Sequence, residues 1–392
     1  MVVLHLKNSV AKLVHITGWT TCGVRSGLNS AAAHKFQQCS CWWGRCSSVA
    51  WSSTFVTKKM APKLEDVTFF NGHKMPIVGL GTWQSSKGEV GQAVDVALET
   101  GYRHIDTAYV YGNEAEIGQA LKKWFDSGKL KREDLFIVTK LPPVGNRAES
   151  VEKYLKKSLE NLQLSYVDLY LIHHPVGFQD VGGDTFPRDK DGKVLLDMKT
   201  DLISLWKAME AQVDAGRTRS IGLSNFSSSQ IKRIWQAARI KPANLQVELH
   251  VYFQQRELAA FCKALDVTVC AYAPLGSPQM ANLVRARGGD VSKIVSLSPM
   301  SDPVVSRIAE KYKKTTAQVL LRHIMQRGIV VIPKSVNPDR IKQNFDVFDF
   351  ELTQEEMDEL DALDKGPKGR MFNDVIAPER AKHPEYPYHE RY

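Results

Sequence analysis

Apolar residues change their spacing in a repeating way from residue 77 onward. Short apolar runs rich in β-branched residues, which predict buried strands, alternate with longer segments whose apolar residues recur every three or four positions, as on one face of a helix. The predicted strands are residues 77–80, 102–105, 135–139, 167–172, 219–223, 245–248, 267–271 and 329–332. The predicted helices are residues 88–100, 114–125, 150–162, 202–215, 227–238, 256–265, 304–313, 316–327 and 340–345.

Eight strand–helix repeats predict an α/β fold, a closed (β/α)8 TIM barrel with a parallel sheet. The alternative is an open nucleotide-binding sheet. It agrees less well with the sequence, because Gly79 and Gly81 are not followed by the third glycine of the dinucleotide-binding motif.

Three further segments flank or interrupt the repeats. Asn71 and Gly72 separate two β-prone runs, which predicts an N-terminal hairpin. Two loops, 175–200 and 276–301, are long, and loops of that length inside a compact domain are usually functional. The tail from Lys365 is rich in proline and aromatic residues, and we expect it to cover the barrel mouth.

Residues 1–59 differ in charge from the rest of the chain. They contain seven Lys and Arg residues and no acidic residue, whereas residues 60–392 contain 45 basic and 43 acidic residues. The formal net charge of +9 therefore does not indicate a nucleic-acid partner. The basic, Ser-rich composition of this extension is that of a mitochondrial presequence. We nevertheless favour a disordered leader, or translation that starts at Met60, and keep a targeting segment as the alternative. Residues 60–392 are expected to form one domain.

The overall amino-acid composition and the positions of the cysteines indicate an intracellular protein. The chain is 43% hydrophobic and 24% charged, and no apolar run approaches the ~20 residues of a membrane helix. Only Cys262 and Cys270 lie beyond the extension, which fits a reduced, cytoplasmic protein. A mitochondrial location is the alternative if the extension is a presequence. The extension's cysteines lack histidines at zinc-finger spacing, so no metal is predicted.

Side chains that can transfer protons or form hydrogen bonds recur where the predicted strands end. In a parallel barrel the C-terminal strand ends meet on one face. The residues at or just after these ends are Asp106, Tyr111, Lys140, His173, His174, Ser224, Asn225, Gln246, Tyr272, Lys334 and Ser335. Each alone has an ordinary structural interpretation, as a turn, rim or core residue, and their convergence on one face favours an active site.

The sequence predicts that four of these residues form a proton-transfer group. A buried ammonium such as that of Lys140 favours the phenolate form and lowers the pKa of a neighbouring phenol, here Tyr111. A carboxylate such as Asp106 keeps a buried lysine charged. A histidine such as His173 can then hold a carbonyl oxygen.

Basic residues after the eighth strand predict a phosphate site. Lys334, Ser335 and Arg340 lie on the last loop and the first turn of the helix that follows it. Helix N-termini bind phosphate, and in this architecture the loops after strands 7 and 8 are the usual place for it. The alternative is a solvated basic turn.

Over residues 62–392 the chain resembles the aldo-keto reductases. The matching motifs are Gly101 to Ala108 with Tyr111 to Glu114, Val138 to Lys140, Leu171 to His173, Gly222 to Phe226, and Ile332 to Ser335 with Arg340 and Asn344. The resemblance implies a barrel that reduces carbonyl groups with NADPH. It implies a catalytic tetrad of Asp106, Tyr111, Lys140 and His173. It implies cofactor contacts from Ser224, Asn225, Gln246, Tyr272, Lys334, Ser335, Arg340 and Asn344.

The chain departs from the family pattern at three places. His174 stands where many members have an aromatic residue after the tetrad histidine, which alters the predicted substrate pocket. Gln343 stands where several members have an acid near the adenosine, and residues 1–59 have no counterpart. Trp83 matches a substrate-pocket aromatic, with barrel-rim packing as the alternative.

The sequence therefore predicts NADPH-dependent reduction of an aldehyde or ketone, with Tyr111 as the acid. The partner is a small carbonyl compound, which could be a lipid aldehyde, a steroid-like ketone, an aryl carbonyl or a sugar. No nucleic-acid or membrane partner is predicted, and a monomer is expected. The alternatives are a non-catalytic NADPH-binding subunit of a partner protein and an unrelated phosphate-binding barrel enzyme such as an isomerase.

Overall fold

The structure is a computed structural model of the chain. It describes residues 66–86, 88–278, 280–286, 290–293, 297–372, 377–390 and 392. The prediction that residues 1–59 form a targeting segment or a disordered leader concerns residues outside this set.

An antiparallel hairpin precedes the barrel, as the Asn71-Gly72 pair predicts. Its strands are β1 (Asp66–Thr68) and β2 (Lys74–Pro76). The loop between them is longer than a two-residue turn, since it spans residues 69–73. Gly72 adopts a φ of +83° in this loop, a left-handed conformation that suits a residue without a Cβ atom.

Eight parallel strands pair in chain order around a barrel, which confirms the predicted fold. They are β3 (Leu80–Gly81), β4 (His104–Asp106), β5 (Phe136–Leu141), β6 (Val167–Ile172), β7 (Thr218–Ser224), β8 (Asn244–Glu248), β9 (Thr268–Tyr272) and β10 (Val330–Val331). Parallel bridges join Val78 to Val331 and Gly81 to Lys334, and the Gly79 N–H donates to the Val331 carbonyl at 2.9 Å. The last strand therefore meets the first, and the barrel closes.

Helices surround the barrel close to the predicted positions. They are α1 (Val90–Thr100), α2 (Glu114–Asp126), α3 (Ala148–Leu162), α4 (Leu202–Asp214), α5 (Ser228–Ala237), α6 (Arg256–Ala264), α7 (Met280–Ala286), α8 (Pro303–Tyr312), α9 (Thr316–Gln326), α10 (Pro338–Phe345) and α11 (Gln354–Asp361). Ser227 and Thr315 begin α5 and α9 with capping boxes, in which each hydroxyl accepts from a backbone N–H three residues later.

Two strands and two helices differ from the sequence prediction. β3 and β10 contain two residues each, instead of the four predicted, because they join through isolated bridges and not through a continuous ladder. Helix α7 lies within the predicted loop 276–301, and α11 follows α10, where no helix was predicted. Among the described residues, no helix is both long enough and apolar enough to cross a bilayer.

The hydrophobic core lies between the strands and the helices. The loops and the tail surround the C-terminal mouth of the barrel. In loop 175–200, antiparallel bridges join Phe178 to Leu196 and Arg188 to Val194. The tail binds this loop, since His383 Nε2 lies 2.8 Å from the Asp197 carbonyl. The predicted cover over the mouth is therefore present.

Candidate active site

Three of the predicted catalytic side chains meet inside the barrel, at the C-terminal ends of β4 and β5. Lys140 is fully buried, and its Nζ donates to Asp106 Oδ1 at 2.6 Å and to the Thr107 carbonyl at 2.9 Å. Its third contact is Tyr111 Oη, at 3.4 Å. Because an ammonium group has three N–H donors, every donor of Lys140 has a partner in this site.

Asp106 keeps the buried Lys140 in its charged form. Burial alone lowers the pKa of Lys140, but the Asp106 carboxylate and the Tyr111 phenol together raise that pKa above its usual value. The other oxygen of this carboxylate, Asp106 Oδ2, accepts from Gln246 Nε2 at 2.7 Å. Both carboxylate oxygens are therefore held, and the ion pair has a fixed orientation.

The acidity of Tyr111 differs from the sequence prediction. Burial raises the pKa of Tyr111 above its usual value of ~10, and Lys140 acts in the opposite direction without cancelling the effect of burial. The prediction that Lys140 leaves the phenol with a lowered pKa was therefore wrong for the net direction. The reason is physical: a half-buried phenol loses the hydration that would stabilise its anion.

His173, the residue after β6, completes the group. Its ring centroid lies 5.6 Å from that of Tyr111, and the two ring planes meet at 78°. Burial, together with the positive charges of Lys140 and Arg380, holds the pKa of His173 well below its usual range. The imidazole is therefore neutral at physiological pH, with one donor and one acceptor nitrogen. Within the described residues, Nδ1 is buried without a hydrogen-bond partner.

The residues predicted to bind the nicotinamide line one wall beyond β7 and β9. Asn225 adopts a φ of +64°, which asparagine tolerates better than most residues. Its Nδ2 donates to the His173 carbonyl at 2.9 Å and to Ser224 Oγ at 3.1 Å. Its Oδ1 accepts from the Tyr272 hydroxyl at 2.8 Å. The Tyr272 ring is thereby linked to the wall that also carries His173.

The predicted phosphate contacts lie at the other end of the same cavity. Asn337 begins α10, and its side chain accepts from the Arg340 N–H at 2.9 Å. The side chains of Lys334 and Arg340 are exposed beside this helix start. Desolvation lowers the pKa of Lys334, the charge of Glu89 opposes this shift, and the like charge of Arg340 adds to it. Ser335 and Asn344 are buried beside them, and Gln343 also lines the cavity.

Trp83 and His174 line the end of the cavity nearest the catalytic group. The His174 ring lies edge-on to Tyr388, with 6.3 Å between the ring centroids, and its Nδ1 accepts from the Val176 N–H at 3.2 Å. Burial, followed by the charge of Arg380, holds the pKa of His174 well below its usual range. A neutral, buried His174 therefore serves as a wall of the pocket.

Several cavity residues were not individually predicted from the sequence. They are Phe178, Phe186, Arg188, Phe372, Arg380 and Tyr388, from loop 175–200 and the tail. Both segments were expected to build the pocket, but they lack a regular period that would assign one side chain to the cavity. The signals were the length of loop 175–200 and the proline and aromatic content of the tail.

One cavity of about 1080 Å³ connects all of these regions. It contacts every predicted site residue except Lys140, which lies behind Asp106 and Tyr111. Its volume lies slightly above the ~300–1,000 Å³ typical of a small-molecule site. The residues that line this cavity fit a phosphorylated dinucleotide. Two cations and a helix start lie at one end, and a tyrosine ring and amide-binding groups lie in the middle. The proton-transfer group lies at the other end.

Comparison with known proteins agrees with this arrangement. The model of the Aldo/keto reductase family matches residues 77–365. The chain belongs to the aldo/keto reductase family. This confirms the resemblance seen in the sequence, and membership implies an oxidoreductase that acts on carbonyl groups of small molecules.

The relatives cover most of the chain. Aldo-keto reductase family 1 member A1 from Gallus gallus is 44% identical over 338 residues, 85% of this chain and 100% of its own length. The human protein of the same name is 45% identical over 331 residues, 83% of this chain and 98% of its own length. The structure of the aldose reductase from Schistosoma japonicum is similar with a TM-score of 0.75 and 46% identity, over 84% of this chain and all of that one.

Proposed function

We propose that this protein reduces aldehydes or ketones to alcohols with NADPH, with Tyr111 as the general acid. The observation that carries the proposal is the set of contacts around Lys140. A fully buried ammonium is held by Asp106 at 2.6 Å and faces the Tyr111 hydroxyl at 3.4 Å. Such an arrangement stabilises a phenolate that forms when Tyr111 gives up its proton.

Bound NADPH supplies the hydride. Lys334, Ser335 and Arg340 would hold the 2′-phosphate, with Asn344 near the adenine. Ser224, Asn225 and Gln246 would hold the nicotinamide amide, and Tyr272 would stack on its ring. The support for these assignments is that all of these residues line one continuous cavity.

Tyr111 is protonated at neutral pH, so it has a proton to donate to the alkoxide that forms on the substrate oxygen. Burial raises the pKa of Tyr111 and opposes this transfer, whereas the charge of Lys140 lowers that pKa and favours it. Lys140 then stabilises the phenolate left behind. Asp106 supports this step by keeping Lys140 charged, and does not exchange protons with the substrate.

A neutral His173 orients the substrate. Its ring lies edge-on to Tyr111, and a neutral imidazole can donate one hydrogen bond to the carbonyl oxygen that Tyr111 protonates. Trp83 and His174 would contact the substrate from the pocket wall. The aromatic lining is compatible with aryl carbonyls, lipid aldehydes or steroid-like ketones, and sugars remain an option. We further propose that residues 60–392 act as one cytoplasmic, monomeric domain.

The proposal is tested by following NADPH absorbance with a panel of aryl, aliphatic and sugar aldehydes. We expect turnover with at least one class, and quenching of protein fluorescence when NADPH binds near Trp83. Fluorescence quenching without turnover on any carbonyl would support the alternative, a non-catalytic NADPH-binding subunit of a partner protein. Absence of both signals would contradict the proposal.

A further inference from the structure

A buried carboxylate binds the tail at the barrel mouth. Glu248 is the last residue of β8 and is 1% exposed. Its Oε1 accepts the backbone N–H of Met371 at 2.6 Å, and its Oε2 accepts that of Phe372 at 3.0 Å. Hydrogen bonds to a charged acceptor are roughly twice as strong as neutral ones. Glu248 is therefore a firm attachment point for two consecutive tail residues.

A second buried side chain fixes the orientation of this carboxylate. His250 is fully buried, and its Nε2 lies 3.1 Å from Glu248 Oε1. The contact leaves the carboxylate little freedom to turn, so both of its oxygens stay directed at the tail backbone. None of the catalytic contacts around Lys140 involves Glu248 or His250.

The residues just before this attachment also pack closely on the barrel. We call residues 369–372 the mouth segment. A Cβ atom added to Gly369 would lie 1.9 Å from the Tyr252 carbonyl oxygen, so only glycine fits there. The Arg370 guanidinium lies 3.9 Å from the centroid of the Tyr388 ring. The mouth segment is therefore held from its first residue to its last.

The last residue of the mouth segment projects an aromatic ring into the cavity. The Phe372 ring centroid lies 5.2 Å from that of Tyr272 and 5.5 Å from that of Trp83. Phe372 therefore lies between Tyr272, which is proposed to stack on the nicotinamide, and Trp83, which is proposed to contact the substrate. The position of this wall depends on the backbone of Phe372, which Glu248 binds.

We propose that Glu248 is a positioning residue that anchors the mouth segment, and that Phe372, held by it, determines which carbonyl substrates fit the pocket. The inference rests on the proposed function, because it assigns the Phe372 side of the cavity to the substrate. Flat aromatic carbonyl compounds, which pack against an aromatic wall, should depend on the anchor more than small aliphatic ones do.

The variant Glu248→Gln tests the anchor. An amide keeps the size of the side chain but presents an NH2 group to one of the two backbone N–H donors, so one hydrogen bond is lost and two donors face each other. We expect the KM for 4-nitrobenzaldehyde to rise about tenfold, the factor that corresponds to ~1.4 kcal/mol. We expect kcat to fall less than about threefold, and the KM for propanal to change less than that for the aromatic aldehyde.

Hydrogen–deuterium exchange supplies a readout that does not depend on activity. The amides of Met371 and Phe372 both donate to Glu248, so peptides that contain the mouth segment should exchange about tenfold faster in Glu248→Gln. Unchanged exchange together with an unchanged KM would overturn the proposal. If Glu248→Gln does not fold, Glu248→Asp, which keeps the charge but shortens the side chain, makes the same test.

A double-mutant cycle separates the anchor from a general structural role. Phe372→Ala should raise the KM for 4-nitrobenzaldehyde, and adding Glu248→Gln to it should raise that KM little further, since the wall is already gone. Additive effects would contradict the proposal.

The matched control is Glu356→Gln, because Glu356 is also a buried carboxylate but binds Lys311 and Tyr312 away from the cavity. We expect this control to leave the KM unchanged.

These measurements separate the anchor from the proposed function. If the wild-type protein oxidises NADPH with no aldehyde of the aryl, aliphatic and sugar panel, the proposed function fails. Slow wild-type exchange at the mouth segment, lost in Glu248→Gln, would still show that Glu248 holds it. If turnover occurs but the KM for 4-nitrobenzaldehyde does not respond to Glu248→Gln, the specificity role fails and the proposed function stands.

Discussion

The variant Asp106→Asn removes the charge that keeps Lys140 protonated while it preserves the shape of the site. The Asp106–Lys140 pair is separated by 2.6 Å, with side chains 3% and 0% exposed. Removing one partner of such a buried ion pair typically costs about 3–5 kcal/mol. We therefore expect a large fall in the free energy of unfolding, measured by urea titration.

The pH dependence of this variant follows from the sign of the Lys140 shift. In the wild type the pKa of Lys140 is raised above its unfolded value of ~10.4. Its contribution to stability is thus fully present below that value and is lost as pH rises through the higher folded pKa. Without the carboxylate, burial lowers the pKa of Lys140, so the ammonium loses its proton at lower pH.

Activity should follow the charge of Lys140. We expect the alkaline limb of the kcat profile for Asp106→Asn to move to lower pH, so that the loss of activity relative to the wild type grows by about tenfold for each pH unit above the lowered pKa of Lys140. The assay is NADPH oxidation at saturating aldehyde, with circular dichroism at each pH to show that the protein is folded. A kcat profile that superimposes on that of the wild type would refute the assigned role of Asp106.

Two further predictions concern the cofactor and the fold. Lys334→Met should raise the Kd for NADPH by about 10- to 100-fold, because a charged hydrogen bond is lost, and should change the Kd for NADH little. Fluorescence titration measures both constants. An equal loss of affinity for the two nucleotides would show that Lys334 does not bind the 2′-phosphate. Gly118→Ala should lower the free energy of unfolding by about 1–3 kcal/mol, because its Cβ atom would lie 2.3 Å from the Asn161 carbonyl oxygen. In the matched control Gly91→Ala, the Cβ atom meets only the flexible Glu116 side chain at 3.2 Å, and we expect little or no loss of stability. Equal stability of the two variants would contradict the packing argument.

The barrel and the proton-transfer group could be predicted because both depend on strand ends. Residues 106 and 140 close neighbouring parallel strands, with Asp106 paired to Val138 in register, so their order along the chain brings their side chains together. The same rule assigns Ser224 and Tyr272, the last residues of β7 and β9, to the cavity. No conformational detail beyond the alternation of strands and helices is needed for this part of the site.

The remaining features depend on contacts that no period encodes. The net acidity of Tyr111 depends on how completely the barrel mouth excludes water, which residue types do not specify. Phe372 follows no regular element, and its place in the cavity depends on Glu248, about 120 residues earlier in the chain. The short strands β3 and β10 reflect the geometry of barrel closure and not the length of their apolar runs.

The most direct test of the central claim is the variant Tyr111→Phe, measured for both turnover and NADPH binding. Loss of a general acid typically reduces the rate by about 10²–10⁴-fold. We predict a fall in kcat of that size, with a Kd for NADPH within about twofold of the wild-type value. Turnover at the wild-type rate by Tyr111→Phe would contradict the claim that Tyr111 is the acid.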